Sequence, residues 1–540
     1  MQENRRWGPY VAALLVCLVF VLLGLLMVQY PGAQYDEVLF ISSIHAPAEI
    51  EYVAQTPFGQ VPLMLMTYVG TLKAAIYAPV LLLAGSGHLT LRLPVLAFGA
   101  ISIALFFLAL RRLTDTRVAI LASLLLATDA IYLLTCEFDW GPVALQHLLV
   151  TSALYTLVRF VQDKQARWLF AAAFCAGLAL WDKALFIWLL AGFSVAALLI
   201  YPLELFRLAR SPRFAAVSVI GFVLGAAPLL YYNVTHHWRT FAANAQMEPV
   251  GIEGKLNMLR RTFDGSGLMG YLVLEDPAGP APPLKAWEKA SVRVNGILGD
   301  PRWSAQYYLL IAGVVLAPFL CRRGGARRTS LLLLAGGVLA TAIMLSTAGT
   351  GGSIHHTVLL WPLPQLMLGL ALFALFDRWP GAPSTAAAVV VLVCVASNVV
   401  VVNMYLAHFI QNGPALLWTD AVRGLVGDLG RRPGRVVFAA DWGMLQQVEY
   451  YGEGRIGYHS GSDGIVPGLE EAGGAARLER FLATPNIVYA VHTEGHEVTA
   501  GTRKRLLDFA SEHGYSDKIL NVIRDRHGVA IFEVHEFEKR

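Results

Sequence analysis

The chain has 540 residues, of which 56% are hydrophobic and 15% charged, and carries a formal net charge of +4. With a mean hydropathy of +0.54, it has too little charge to cover the surface of a soluble protein of this length. Its basic residues stand in short clusters between apolar runs, which argues against nucleic acid as a partner and for a polytopic α-helical protein seated in a lipid bilayer.

The first apolar run, 11–29, follows Arg5-Arg6. No small-x-small cleavage site closes it before Tyr30-Pro31, so it reads as a retained helix rather than a signal peptide. A few residues on comes Asp36-Glu37, an acidic pair at the mouth of a membrane span. Such residues are costly to desolvate and face water, a cation or a reactive site. Val61 to Leu83 is also apolar, but Pro62, Gly70, Lys73 and Pro79 interrupt it. Pro and Gly break regular helix and a lysine at mid-depth is expensive, so this stretch is predicted to form interfacial or re-entrant helices within one external loop, 30–92.

Ten further spans are predicted at 93–110, 117–135, 142–161, 168–181, 184–201, 214–231, 305–320, 329–346, 357–376 and 384–403, about eleven in all. This threading places Arg5-Arg6, Arg111-Arg112-Arg117, Lys164-Arg167, Arg207-Arg210-Arg213 and Arg322-Arg323-Arg327-Arg328 on the cytoplasmic side, as the positive-inside rule asks. The N-terminus is then cytoplasmic. Asp36-Glu37, Glu137 and Asp139, Asp182-Lys183, His355-His356, the loop 232–304 and everything after Val402 fall on the opposite face. The long loop carries Pro277, Pro280, Pro282 and Pro283, together with Trp238, Trp287 and Trp303 at the interface.

The membrane part is read as 1–410. From Ala415 the composition turns globular, and 415–540 is expected to be an external soluble α/β domain. Strands are predicted at 435–440 and 486–491, a helix at 502–512, and a hairpin from 518–523 and 529–534. Asp441 reads best as a helix N-cap. The five cysteines, Cys17, Cys136, Cys175, Cys321 and Cys394, form no C-x-x-C pair and read as packing residues.

Several groups carry chemistry. A carboxylate such as Asp36 can take the proton of an attacking hydroxyl. Glu137-x-Asp139 has the spacing for a divalent cation completed by water, or for charges at a helix N-terminus before Pro142. No other cofactor is suggested. Lys183 suits phosphate as a point charge, unless it only neutralises Asp182. Arg92 is a second candidate cation. His355 and His356 are interfacial candidates for phosphate contact, with no third ligand nearby for zinc.

Taken in order, these segments resemble the GT-C membrane glycosyltransferases, specifically the protein O-mannosyltransferase and lipid A aminoarabinose transferase group. The resemblance rests on the Asp-Glu pair after the first span and on Arg92-Leu93-Pro94-Val95-Leu96-Ala97-Phe98-Gly99. It rests also on Asp139 at a span start, on Gly177-Leu178-Ala179-Leu180-Trp181-Asp182-Lys183, and on His356 to Pro364. It covers roughly 10–405. It implies a GT-C fold, a polyprenyl-phosphate-linked sugar as donor, and inverting transfer to an envelope acceptor on the periplasmic face of a bacterial inner membrane. Asp36 would be the base with Glu37 supporting it, Asp139 would shape the site, and Lys183 and Arg92 would contact phosphate. The segment Thr56-Pro57-Phe58-Gly59-Gln60-Val61-Pro62 departs from the family's first loop, which leaves the acceptor class open. A transporter or flippase, the competing class, would place ionisable residues near span centres. The third alternative is a non-catalytic envelope assembly protein.

Overall fold

A computed structural model describes residues 4–44, 50–57, 59–276, 285–322, 324–461 and 465–540. The four prolines of the long loop, Phe58 and Arg323 lie outside the described residues.

The N-terminal part is built of helices. They are α1 (Asn4–Leu25), α2 (Tyr35–Leu39), α3 (Leu72–Ala84), α4 (His88–Leu113), α5 (Thr116–Thr128), α6 (Ala130–Thr135), α7 (Val143–Asp163) and α8 (Ala166–Asp182). There follow α9 (Ile187–Ile200), α10 (Pro202–Arg210), α11 (Pro212–Thr235), α12 (Arg239–Asn244), α13 (Ile252–Asp264), α14 (Ala286–Ile297), α15 (Gln306–Leu320), α16 (Gly324–Ser346), α17 (Ile354–Thr357), α18 (Leu363–Arg378) and α19 (Ala382–Gln411). Each predicted span falls on helix. By length and composition, seven described helices can cross a bilayer, or eight if the pair bent by 101° between α9 and α10 is counted as one. The protein is thus a multi-pass membrane protein. The expectation of eleven crossings also counts α5, α8 and α15, which have 13, 17 and 15 residues.

Glycines let these helices touch where lipid gives no hydrophobic drive to pack. A Cβ on Gly177 of α8 would stand 2.3 Å from the Phe222 carbonyl oxygen, and one on Gly225 of α11 would stand 2.3 Å from that of Phe174. The two backbones are in direct contact.

The loop 30–92, expected to be external, differs from expectation. Tyr52–Thr56 (β1), Gly59–Met66 (β2) and Val69–Gly70 (β3) form an antiparallel sheet, and within the stretch 61–83 only the part from Leu72 on is helical. A short apolar run does not distinguish helix from strand. Here Pro62 is tolerated in β2 because β3 pairs only with Met64 and Met66. The sheet docks on the bundle: the Ala184 amide donates to the Tyr68 carbonyl at 2.8 Å.

The C-terminal domain holds α20 (Ala421–Gly430), β4 (Val436–Ala439), α21 (Leu445–Gly452), β5 (Gly457–Ser460), α22 (Ile465–Glu470), α23 (Gly474–Ala483), β6 (Ile487–His492), α24 (Thr502–Glu512), β7 (Tyr515–Arg524) and β8 (Ala530–Lys539). Its sheet has the order β5-β4-β6-β8-β7, with the first three strands parallel and the rest antiparallel. β6 is buried along its whole length, so it reads as a continuous apolar run. Asp441 is not a helix N-cap. Its carboxylate binds His492 Nδ1 at 3.0 Å and accepts from the amides of Trp442, Val498 and Thr499, fixing the turn after β4.

Candidate active site

Asp36 lies in the single turn of α2. The side chain of Gln34 caps this turn, accepting from the amides of Asp36 at 2.6 Å and Glu37 at 3.1 Å, while Glu37 Oε2 accepts from the Gln34 amide at 3.3 Å. This reciprocal capping satisfies amides that a helix start otherwise leaves open. Glu37 is buried and is held by Arg92, whose Nε donates to Oε1 at 2.9 Å and Nη2 to Oε2 at 3.1 Å. The same guanidinium donates to the carbonyls of Val28, Pro31 and Gly32 at 2.7, 3.0 and 2.7 Å. These contacts use all five N–H donors of an arginine. Arg92 therefore has no donor to spare for phosphate in this conformation. It anchors the loop that presents Asp36.

Asp139 is similarly engaged. Its Oδ1 accepts from the Val143 and Ala144 amides at 2.6 and 3.3 Å, at the start of α7. Its Oδ2 pairs with Lys73 Nζ at 3.0 Å, with both side chains buried. Of the two readings of Glu137-x-Asp139, the helix N-terminus is the one Asp139 adopts. Glu137 turns elsewhere, toward Gly24 and Leu96. Its carboxylate oxygens are buried and lack a hydrogen-bond partner among the described residues. Burial holds this carboxyl well above its ordinary range, and the nearby Arg92 only partly offsets that. Glu137 and Asp139 thus do not converge on one point. Among the described residues no group of three or more His, Cys, Asp or Glu side chains could hold a metal ion.

Lys183 caps the end of α8 and donates from Nζ to the Gly141 carbonyl at 2.5 Å. It is buried, which pushes its ammonium down to about 8, while the charges of Asp139, Asp182 and Asp36 pull the other way. Asp182 is held separately, by Gln146 Nε2 at 2.9 Å. His355 and His356 stand beside Lys183 and against each other, with ring centroids 4.2 Å apart. His355 reaches Ser353 Oγ at 2.8 Å and meets Trp140 edge-on, while His356 meets Trp188.

Asp36 is different from its neighbours. It is only half-buried, and among the described residues its carboxylate forms no ion pair, whereas Glu37 and Asp139 are each paired. Burial raises the Asp36 carboxyl to about 6, against the pull of Gln34 and Lys183. Tyr68 from the sheet and Tyr271 from the long loop both sense its charge. Tyr271 in turn meets Trp140 at a tilt and Trp418 edge-on, and those two indoles meet edge-on as well.

Sequence reading passed over Lys73, Tyr68, Tyr271 and Gln34 as site residues. Lys73 carried a signal, being an ionisable residue in an apolar run. Tyr271 carried none.

Further along the bundle, a cavity of about 350 Å³ opens between α13, α15, α16 and α18. Phe263, Leu334, Val338, Leu345, Leu363 and Met367 are among its walls, which are almost wholly apolar.

Comparison with known proteins agrees with this architecture. Residues 71–232 match the family model described as dolichyl-phosphate-mannose-protein mannosyltransferase. The chain is similar in structure to ArnT from Cupriavidus metallidurans bound to undecaprenyl phosphate, at 13% identity and a TM-score of 0.58, with 98% of each chain covered. It is also similar to the Archaeoglobus fulgidus oligosaccharyltransferase in its apo form, at 13% identity and a TM-score of 0.55, over 96% of this chain and 74% of that one. The same oligosaccharyltransferase tethered with an acceptor peptide gives 12% identity and a TM-score of 0.51, over 100% of this chain and 75% of that one. No curated protein matches the chain by sequence. The fold is that of the GT-C glycosyltransferases of the protein O-mannosyltransferase and ArnT group, as the motifs imply.

Proposed function

We propose that this protein is an inverting glycosyltransferase. It moves a sugar from a polyprenyl-phosphate donor to an envelope acceptor (a lipid, a glycan or a protein hydroxyl) on the periplasmic face of a bacterial inner membrane. The observation that carries the reading is the isolation of Asp36. Among the described residues it is a partly exposed carboxylate with no ion pair, raised by burial to about 6 and close to Tyr68 and Tyr271. A general base needs an affinity for protons near the working pH and an approach from outside.

In the proposed step, Asp36 takes the proton of the acceptor hydroxyl as its oxygen bonds to the anomeric carbon. The bond from that carbon to the phosphate oxygen breaks on the opposite side, and the polyprenyl phosphate leaves with the electron pair. Among the described residues, Lys183 commits one of the three hydrogen bonds its ammonium can donate. It is therefore the group best placed to stabilise the leaving phosphate, with His355 and His356 beside it. Arg92, fully engaged, acts on the loop instead. The apolar cavity between α15, α16 and α18 suits an isoprenoid chain lying alongside the bundle. The resemblance to a structure containing undecaprenyl phosphate is consistent with such a donor.

Mass spectrometry of envelope lipids, glycans and proteins from cells with and without the gene tests the reading. The expected result is one sugar missing from one acceptor class, restored by the wild-type gene and not by Asp36→Asn. Full restoration by Asp36→Asn would remove the base assignment.

A further inference from the structure

The loop that presents Asp36 is held carbonyl by carbonyl from two sides. Arg92 of the membrane part takes the carbonyls of Val28, Pro31 and Gly32. The remaining contacts come from the C-terminal domain. Arg526 Nη2 donates to the Tyr30 carbonyl at 2.7 Å and to that of Gln29 at 3.4 Å, Arg423 Nη2 to Pro31 at 3.2 Å, and Gln447 Nε2 to Ala33 at 3.3 Å. Every carbonyl from Val28 to Ala33 thus accepts from a side chain. An extended loop has no ladder of its own, so its backbone groups must find such partners when buried.

The grip is itself fixed. Arg526 pairs with Asp420 at 2.6 Å and lies over the Tyr30 ring at 5.0 Å. The Gly32 amide donates to the Trp418 carbonyl at 2.7 Å, in an approach so close that a Cβ on Gly32 would overlap the backbone of Thr419. Trp442, set by the turn that Asp441 organises, packs on Tyr35 with ring centroids 4.5 Å apart.

We infer that the C-terminal domain is a clamp that positions the base, with Arg423 and Arg526 as its positioning residues. It acts on the geometry of the Asp36 loop, not by recognising the acceptor. This deepens the assignment of Asp36 as base, and rests on it. Charge-assisted hydrogen bonds to backbone carbonyls are among the stronger neutral-to-ionic contacts, and losing several in one loop frees it locally.

Hydrogen exchange on the full-length protein in detergent micelles tests the clamp without any substrate. In the double variant Arg423→Gln/Arg526→Gln, the amides of 34–41 should exchange faster by roughly tenfold or more, with β4 and β6 at wild-type rates. Wild-type exchange in 34–41 would overturn the clamp. Should the double variant loosen the whole domain, the single variant Arg423→Gln, which removes one of the two donors to the Pro31 carbonyl and no other loop contact, is read by the same two outcomes. On the transfer reaction identified above, a clamp lowers kcat and moves the acid limb of the pH profile, with Arg526→Lys regaining part of the loss. A rise in acceptor KM at unchanged kcat would instead overturn it in favour of acceptor recognition. Failure of the base assignment shows separately, as activity retained in Asp36→Asn.

Discussion

Lys73 and Asp139 meet as an ion pair at 3.0 Å, 2% and 1% exposed, although 66 residues separate them in sequence. The pair ties α3 to the start of α7. Removing one member leaves the other charged and buried, a loss of about 3–5 kcal/mol. Lys73→Met should therefore lower the thermal midpoint in detergent sharply. Lys73→Met/Asp139→Asn should recover much of that loss, because Asn keeps an oxygen for the Val143 amide. Equal loss in the single and double variants would mean that the pair is not coupled.

Asp36→Asn should reduce transfer by roughly 10²–10⁴-fold at an unchanged unfolding midpoint. The wild-type pH profile follows from the same residue. A base works ionised, and burial raises this carboxyl from its ordinary value to about 6. Activity should be full above that pH and fall as pH drops through it, which initial rates across the range will read.

Arg92→Lys should be nearly as damaging as Arg92→Ala. A lysine offers three donors from one point and cannot span Glu37 and three carbonyls at once. The expectation is loss of activity together with faster hydrogen exchange in 28–37. Wild-type activity in Arg92→Lys would show that charge alone is required there.

Lys183→Met should act on the donor. It removes the buried ammonium that faces Asp36, so donor KM should rise or kcat fall with acceptor KM unchanged. Steady-state kinetics with each substrate varied in turn separate these terms.

Gly225→Val places a side chain where a Cβ would already lie 2.3 Å from the Phe174 carbonyl oxygen. Separation of α8 from α11 should cost about 1–3 kcal/mol, seen as a lower midpoint. Gly337→Val, with nothing within 4 Å of its Cβ position, is the control.

The membrane helices were legible because each apolar run is long, and length alone selects helix in a bilayer. The segment 59–70 misled for the converse reason. It is short and apolar, and Val69 pairs both with Met66 of β2 and with Lys183 of the bundle, partners that only the fold brings together. In the C-terminal domain β4, β6 and α24 were readable from their patterns, whereas β5, with four residues, was not. Candidate residues could be picked from the sequence, but the partners each one takes in the fold could not. Whether Arg92 meets a phosphate or Glu37 depends on a fold that brings residues 55 apart within 3 Å. Tyr271 gave no sign of itself at all.

The clamp on the Asp36 loop also has a consequence in time. Arg423 and Arg526 lie 392 and 496 residues beyond the carbonyls they bind. During synthesis the loop emerges 392 residues before Arg423, the first of these two arginines. A chain stopped before Arg526 carries Asp36 on an unfinished loop. The carboxylate thus stays unassembled until both arginines have been made.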